Sequence, residues 1–155
     1  MGMIVLLIVH GLLAVALLGA ITHQIVSVWW PVRAPAGNFV ARYRATASTT
    51  YVSAVVVLYL ATMFLGAVIY THYTISARVA IIQLQLWKPY GLFEMKEHFA
   101  AIGFGILPAY WYFWQPKVAD QYARVRVLLT SILAFIVWWN FLVGHFINDI
   151  RGFGS

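Results

Sequence analysis

Four of the five histidines in this chain, and three of its four acids, are placed to meet at one level if the chain crosses a bilayer four times. His10 lies near the start of the first apolar run and His72 at the end of the second; His98 opens the third, and His145 stands about one turn before the end of the fourth. Glu94, Glu97 and Asp149 share that level. Ionisable groups at membrane depth are costly, so a cluster of them marks a functional site by default. Imidazole suits haem iron, copper, zinc and non-haem iron, and carboxylates extend a donor set toward iron.

Helical geometry limits which of these groups cooperate. At ~100° per residue, Glu94 and His98 share a face provided the third helix begins early enough, and so do His145 and Asp149, with Asn148 on the neighbouring edge. In such a pair the carboxylate orients the imidazole and fixes its tautomer; alternatively, each acid only solvates a helix end in the headgroup region. His10 lies ~10 Å into its span by helical rise. Gly11 follows it and Gly144 precedes His145, and small residues admit either a flat ligand or a neighbouring helix. His72 and His98 fit equally well as polar residues of the interface. His23 stands near the opposite face. It is thirteen residues from His10, a rotation of ~220° on a straight helix, so the two do not form one haem-bearing stripe. Its partners are then a quinone or a neighbour such as Tyr51 or Ser131. Asn140, the remaining polar residue in mid-span, suits an interhelical hydrogen bond.

The elements that must position these residues are apolar throughout. The chain is 63% hydrophobic and 9% charged, against roughly 45–50% and about 25% in soluble domains. A spanning helix needs ~20 mainly apolar residues. The runs 3–30, 50–72, 97–114 and 126–148 meet that need, the third interrupted by Gly103, Gly105 and Pro108. The expected fold is an all-α integral membrane protein, a single four-helix transmembrane domain over residues 1–155, because a spanning structure must satisfy its backbone internally. Between the second and third spans, in the stretch 73–95, Ile81, Ile82, Leu84, Leu86 and Trp87 alternate with Arg78, Gln83, Gln85 and Lys88 before Pro89. This is the pattern of an amphipathic segment lying on the membrane surface over the histidine cluster. Trp29, Trp30, Tyr70, Tyr73, Trp111 and Trp114 read as interfacial anchors. Trp138 and Trp139 lie nearer mid-span, placed to pack on a cofactor or a neighbouring helix.

Charge sets an orientation. Arg33, Arg42, Arg44, Lys117, Arg124 and Arg126 fall on one side; Arg78, Lys88, Lys96 and Arg151 fall on the other. The excess of positive charge belongs inside, which puts both termini and the histidine level on the outer face of a bacterial inner (cytoplasmic) membrane. The net charge of +6 therefore serves topology beside anionic lipid, and no nucleic-acid module is recognisable. The first run has no Lys or Arg at its amino end and is about twice the length of a signal-peptide core, so it reads as a retained helix. With no cysteine, disulfides, thiolate metal sites and iron–sulfur clusters are excluded.

A histidine within the first span (His10) and histidines near the ends of the second and fourth (His72, His145) give the chain an architecture that resembles the four-helix membrane b-type cytochromes, which serve as haem-bearing anchors or quinone-reactive subunits. The resemblance covers the spans and the histidine placement, without a family-specific motif. It implies electron transfer by a haem b subunit, an oxidoreductase component, between quinol and an outer-face acceptor carried by membrane or periplasmic partner subunits. The axial ligands are then drawn from His10, His72, His98 and His145, with His72 and His145 the pair if one is to be chosen. No second pair exists in the inner layer, so one haem fits better than two. The competing chemistry is a non-haem copper or iron site built from those four histidines with Glu94, Glu97 and Asp149. The Glu-x-x-His spacing of di-iron bundles and the zincin motif are both absent. A third reading is a structural or assembly subunit of a larger membrane complex. Transport lacks mid-membrane charge and a pair of broken helices, and no nucleophile elbow supports hydrolysis.

Overall fold

The structure, a computed structural model, describes residues 2–31, 39, 46–119 and 121–150, except for the side chains of 119 and 148–150. Arg33, Arg42, Arg44 and Arg151, which contribute to the charge count, lie outside the described residues. Among the described residues six helices follow one another: α1 (Gly2–Trp29), α2 (Thr50–Ile75), α3 (Ala77–Gln83), α4 (Trp87–Phe113), α5 (Pro116–Ala119) and α6 (Ala123–Ile150). The four long ones form a bundle in which α1 packs on α2 and α6, and α6 packs on α4, while α2 and α4 meet more sparingly.

Among the described residues three helices are long and apolar enough to cross a membrane: Gly2–Trp29, Thr50–Ile75 and Ala123–Ile147. Their outer faces carry Ile8, Leu12, Val57, Phe64, Phe135 and Leu142, all exposed, while Gln24, His23 and Thr130 are turned inward and buried. Apolar groups outside and polar groups inside suit lipid as solvent, and the chain is an integral membrane protein on this pattern.

The third expected span, 97–114, falls within a longer helix: α4 begins ten residues earlier, at Trp87, and by composition is not among the helices apolar enough to cross. Its first three turns carry Lys88, Glu94, Lys96 and Glu97, the charges that mark a surface loop when read in sequence alone. Pro89 sits within the first helical turn, where its missing N–H is not needed. Pro108 lies inside α4 and leaves the Phe104 carbonyl without its usual partner, yet the helix continues to Phe113. The predicted amphipathic stretch is accordingly divided. Part of it forms the short helix α3, and Gln85, at φ 54°, makes the left-handed turn into α4.

The bundle is zipped by polar contacts at the end away from the histidine level. Gln24 and Tyr110 are both 0% exposed; the Tyr110 hydroxyl donates to Gln24 Oε1, and Gln24 Nε2 donates to the Ser48 carbonyl at 3.0 Å. Ser27 and Ser48 share a further hydroxyl contact. Trp114 Nε1 donates to Thr130 Oγ1, Trp29 Nε1 to Ser131 Oγ and Trp138 Nε1 to Thr22 Oγ1, each at 3.1 Å. These bonds join α4 to α6 and α1 to α6. In lipid, where apolar burial does not drive association, such bonds and close packing hold helices together.

The sparing α2–α4 seam closes at two places. Tyr59 donates to the Ala100 carbonyl at 2.8 Å and lies over Gly103, where an added Cβ would collide with its hydroxyl. Nearer the histidine level, the Tyr73 and Phe93 rings stack at 4.0 Å. Gly103→Ala is expected to lower stability by about 1–3 kcal/mol through overpacking, read as a lower unfolding temperature in detergent. Adding Tyr59→Phe, which removes the colliding oxygen, should recover part of the loss. Gln24→Leu leaves the buried Tyr110 hydroxyl without its acceptor and should cost about 1–3 kcal/mol; the double variant with Tyr110→Phe should be more stable than Gln24→Leu alone.

Candidate functional site

Between the two α2–α4 contacts the bundle encloses a cavity of two adjoining lobes. The outer lobe, about 240 Å³, is walled by His10 and Gly11 on α1, Tyr70 and Tyr73 on α2, Phe93 on α4, and Gly144 and His145 on α6. The inner lobe, about 230 Å³, lies deeper among Leu17, Tyr59, Thr62, Met63, Ala101 and Val137. His10, Ala14, Gly66, Lys96, Glu97, Asn140 and Phe141 border both.

His10 reaches the cavity because Gly66 of α2 faces it. A Cβ there would stand 3.2 Å from His10 Cε1, tighter than ordinary packing. The ring lies beside the backbone of Thr62, but Nδ1 is buried with no partner in hydrogen-bond geometry. His145 lines the outer lobe from α6, its ring parallel (2°) to that of Phe141 one turn earlier, with centroids 6.4 Å apart. The walls are flat where glycines occur: nothing lies within 4 Å of a Cβ built at Gly11, and at Gly144 only Lys96 Cε does, at 3.4 Å.

Lys96 is the group the sequence reading did not place. Counted there as a topology charge, its side chain is only 20% exposed and runs into the bundle, with Nζ 3.4 Å from Glu97 Oε1 and 5.2 Å from the Phe93 ring centroid. Glu97 is more open, at 43%. A signal was present. Once α4 is extended back to Trp87, Lys96, Ala100, Gly103, Leu107, Tyr110 and Trp114 recur at helical spacing, and the last four are the buried residues of that face. Tyr73, read as an interfacial anchor, instead buries its hydroxyl at the outer lobe without a hydrogen-bond partner.

The remaining candidates lie elsewhere. His72 is exposed at the end of α2, where its carbonyl accepts from Ser76, and it does not border the cavity. His98 is exposed on α4, and its Nδ1 meets the Glu94 carbonyl at 2.7 Å. Glu94 and His98 thus share a face as the spacing requires, but the Glu94 carboxylate turns to Arg78 at 3.2 Å. Arg78 also donates to the Tyr90 hydroxyl at 2.7 Å, and that bond raises its pKa above the usual guanidinium value. Asp149 falls in the last turn of α6, and its side chain lies outside the described residues. Among the described residues no three of His, Asp and Glu converge as a metal-binding group.

His23 is 5% exposed and stacks on Tyr51 with ring centroids 4.2 Å apart. It borders an open groove of about 380 Å³ between α1 and α6, with Thr22, Ser27, Trp30 and Trp138. Trp138 is held by Thr22, so its mid-span position serves helix packing. Comparison with protein-family models, curated proteins and solved structures gives no match, and the geometry of the cavity alone carries the functional reading.

Proposed function

We propose that the chain is a membrane electron-transfer subunit in which His10 and His145 would hold one haem b at the outer lobe, the haem supplying one-electron chemistry. The observation that carries this reading is that two imidazoles from separate helices border one lobe whose walls are opened by Gly11, Gly66 and Gly144. The donor chemistry fits, since paired imidazoles are a standard haem ligation and no thiolate is present. At about 240 Å³ the lobe is below the ~300–1,000 Å³ usual for small-molecule sites, so a haem held there would have to project beyond it. His72 and His98, outside the cavity, are then residues of the interface.

Bound haem supplies one-electron chemistry; the chain's residues set where and how easily it occurs. His10 is kept in place by Gly66 and the Thr62 backbone, and His145 is aligned by Phe141. Lys96 and Glu97, paired with each other beside His10, border the site together and add no net charge to it. In this reading α4 completes a four-span bundle, its charged first turns lying at the membrane surface with α3. Both termini then face the outside of a bacterial inner membrane, where quinol-derived electrons pass to a partner subunit.

The purified protein is expected to show a b-type α-band in a reduced-minus-oxidised spectrum, with one haem per chain by pyridine haemochrome. His10→Ala or His145→Ala should each abolish the band, while His72→Ala and His98→Ala should leave it. Gly66→Val, which crowds His10, should lower haem content severalfold without removing either ligand. A flat spectrum of the intact chain sinks the proposal, and metal analysis of the same sample then tests a copper or iron site.

A further inference from the structure

The inner lobe has features that haem ligation does not use. Thr62 and Asn140 border it from α2 and α6, and Thr62 Oγ1 and Asn140 Oδ1 are both buried without a hydrogen-bond partner. Their neighbours behave differently. Thr71, Thr74, Thr130 and Ser131 each return their hydroxyl to a carbonyl three or four residues earlier, the usual resort of such side chains in a helix. A buried polar atom left unsatisfied costs about 1–3 kcal/mol, and two on facing helices at one lobe indicate a partner shared between them.

The lobe also lies along the seam where α2 and α4 do not close. Tyr59 seals that seam below through Ala100, and the Tyr73–Phe93 stack seals it above. Between these contacts stand Ala67 and Ala101, both exposed and both too short to bridge the gap. For helices whose outer faces are apolar, that side of the bundle meets lipid.

We infer that the inner lobe binds the head of a neutral, hydroxyl-bearing, lipid-soluble molecule, which enters from the bilayer between α2 and α4 and hydrogen-bonds to Thr62 and Asn140. The hydroxyl follows from the two side chains. It donates and accepts, so it satisfies a threonine hydroxyl and either end of an asparagine amide, whichever way that amide is turned. Neutrality follows from the walls: among the described residues the charges bordering the lobe are Lys96 and Glu97, which pair with each other. A fatty acid or anionic headgroup would have to displace Glu97. The size of the lobe suits one ring or a short polar head, with its tail left in the seam. Long-chain alcohols and alkyl phenols or hydroquinones share this chemistry. His10 borders this lobe as well, but the hydrogen bonds proposed here use Thr62 and Asn140, so the proposal is tested without reference to haem.

The test uses the full chain in lipid nanodiscs with a photoactivatable alkyl phenol, the labelled residues being mapped by mass spectrometry. Saturable labelling is expected at Met63, Ala67 or Ala101. It should fall at least tenfold in Asn140→Leu and in Ala67→Trp, the second being a rim residue whose replacement narrows the entry without touching the polar atoms. Asn140→Leu should also unfold at a higher temperature than the parent in the absence of probe, because it removes an unsatisfied buried amide oxygen. That result separates lost recognition from lost folding. Competition by an alkyl hydroquinone but not by dodecanol would assign the site to ring-bearing heads; competition by both would assign it to the hydroxyl alone, and either supports the proposal. Labelling that does not saturate, or that both variants leave unchanged, overturns it, and the lobe then holds water only. A chain without haem that passes this test would remove the electron-transfer proposal and leave this one standing.

Discussion

A buried amide governs this bundle. Gln24, fully enclosed on α1, can satisfy its two ends only by reaching Tyr110 on α4 and the Ser48 carbonyl that precedes α2. In an apolar surrounding the alternative is an unsatisfied polar group, which costs far more than the bond itself is worth in water. The bond to Tyr110 links α1 with α4 across the bundle, while α1 packs directly on α2 and α6. Trp114 with Thr130, and Trp29 with Ser131, then tie the ring of helices at the same end. Polar groups facing inward and aliphatic groups facing outward are two aspects of one constraint: lipid solvates the second and rejects the first.

Closure at that end permits opening at the other. With α1 joined to α6 and α4 to α6, the seam between α2 and α4 need not be filled, and it is bridged by Tyr59 at one place and by the stacking of Tyr70 and Tyr73 on Phe93 at another. The cavity occupies the interval, and the residues around it are those a well-packed core would exclude: a lysine, a glutamate, a histidine, an asparagine and a threonine. Lys96 and Glu97 neutralise each other, which makes an ion pair tolerable at this depth, yet a contact of 3.4 Å with one partner near 43% exposure is a loose one.

The proposed haem and the proposed amphiphile head use different atoms of this cavity. The first takes the imidazoles of α1 and α6 in the outer lobe; the second takes side-chain oxygens of α2 and α6 in the inner one. His10 and Asn140 border both lobes. Electron transfer from a lipid-soluble donor would require both sites to be occupied in adjoining spaces.

The helical, membrane-spanning character was legible in the sequence because it depends on composition: three stretches are long and apolar enough to cross a bilayer. The common level of His10 and His145 was legible for a similar reason, since antiparallel spans of fixed rise must return residues to matching depths. The start of α4 was not legible. A run containing Lys88, Pro89, Glu94, Lys96 and Glu97 has the composition of a surface connection, and only packing of Tyr73 on Phe93 and of Arg78 on Tyr90 and Glu94 shows how these turns are held as helix. Which histidines share a space was also undecided, because depth fixes height along the axis but not rotation about it. Rotation is set by what each helix packs against. The tertiary structure turned His10 and Lys96 inward and left His72 and His98 exposed, through the close approach at Gly66 and the Gln24–Tyr110 bond that fixes how α1 faces α4.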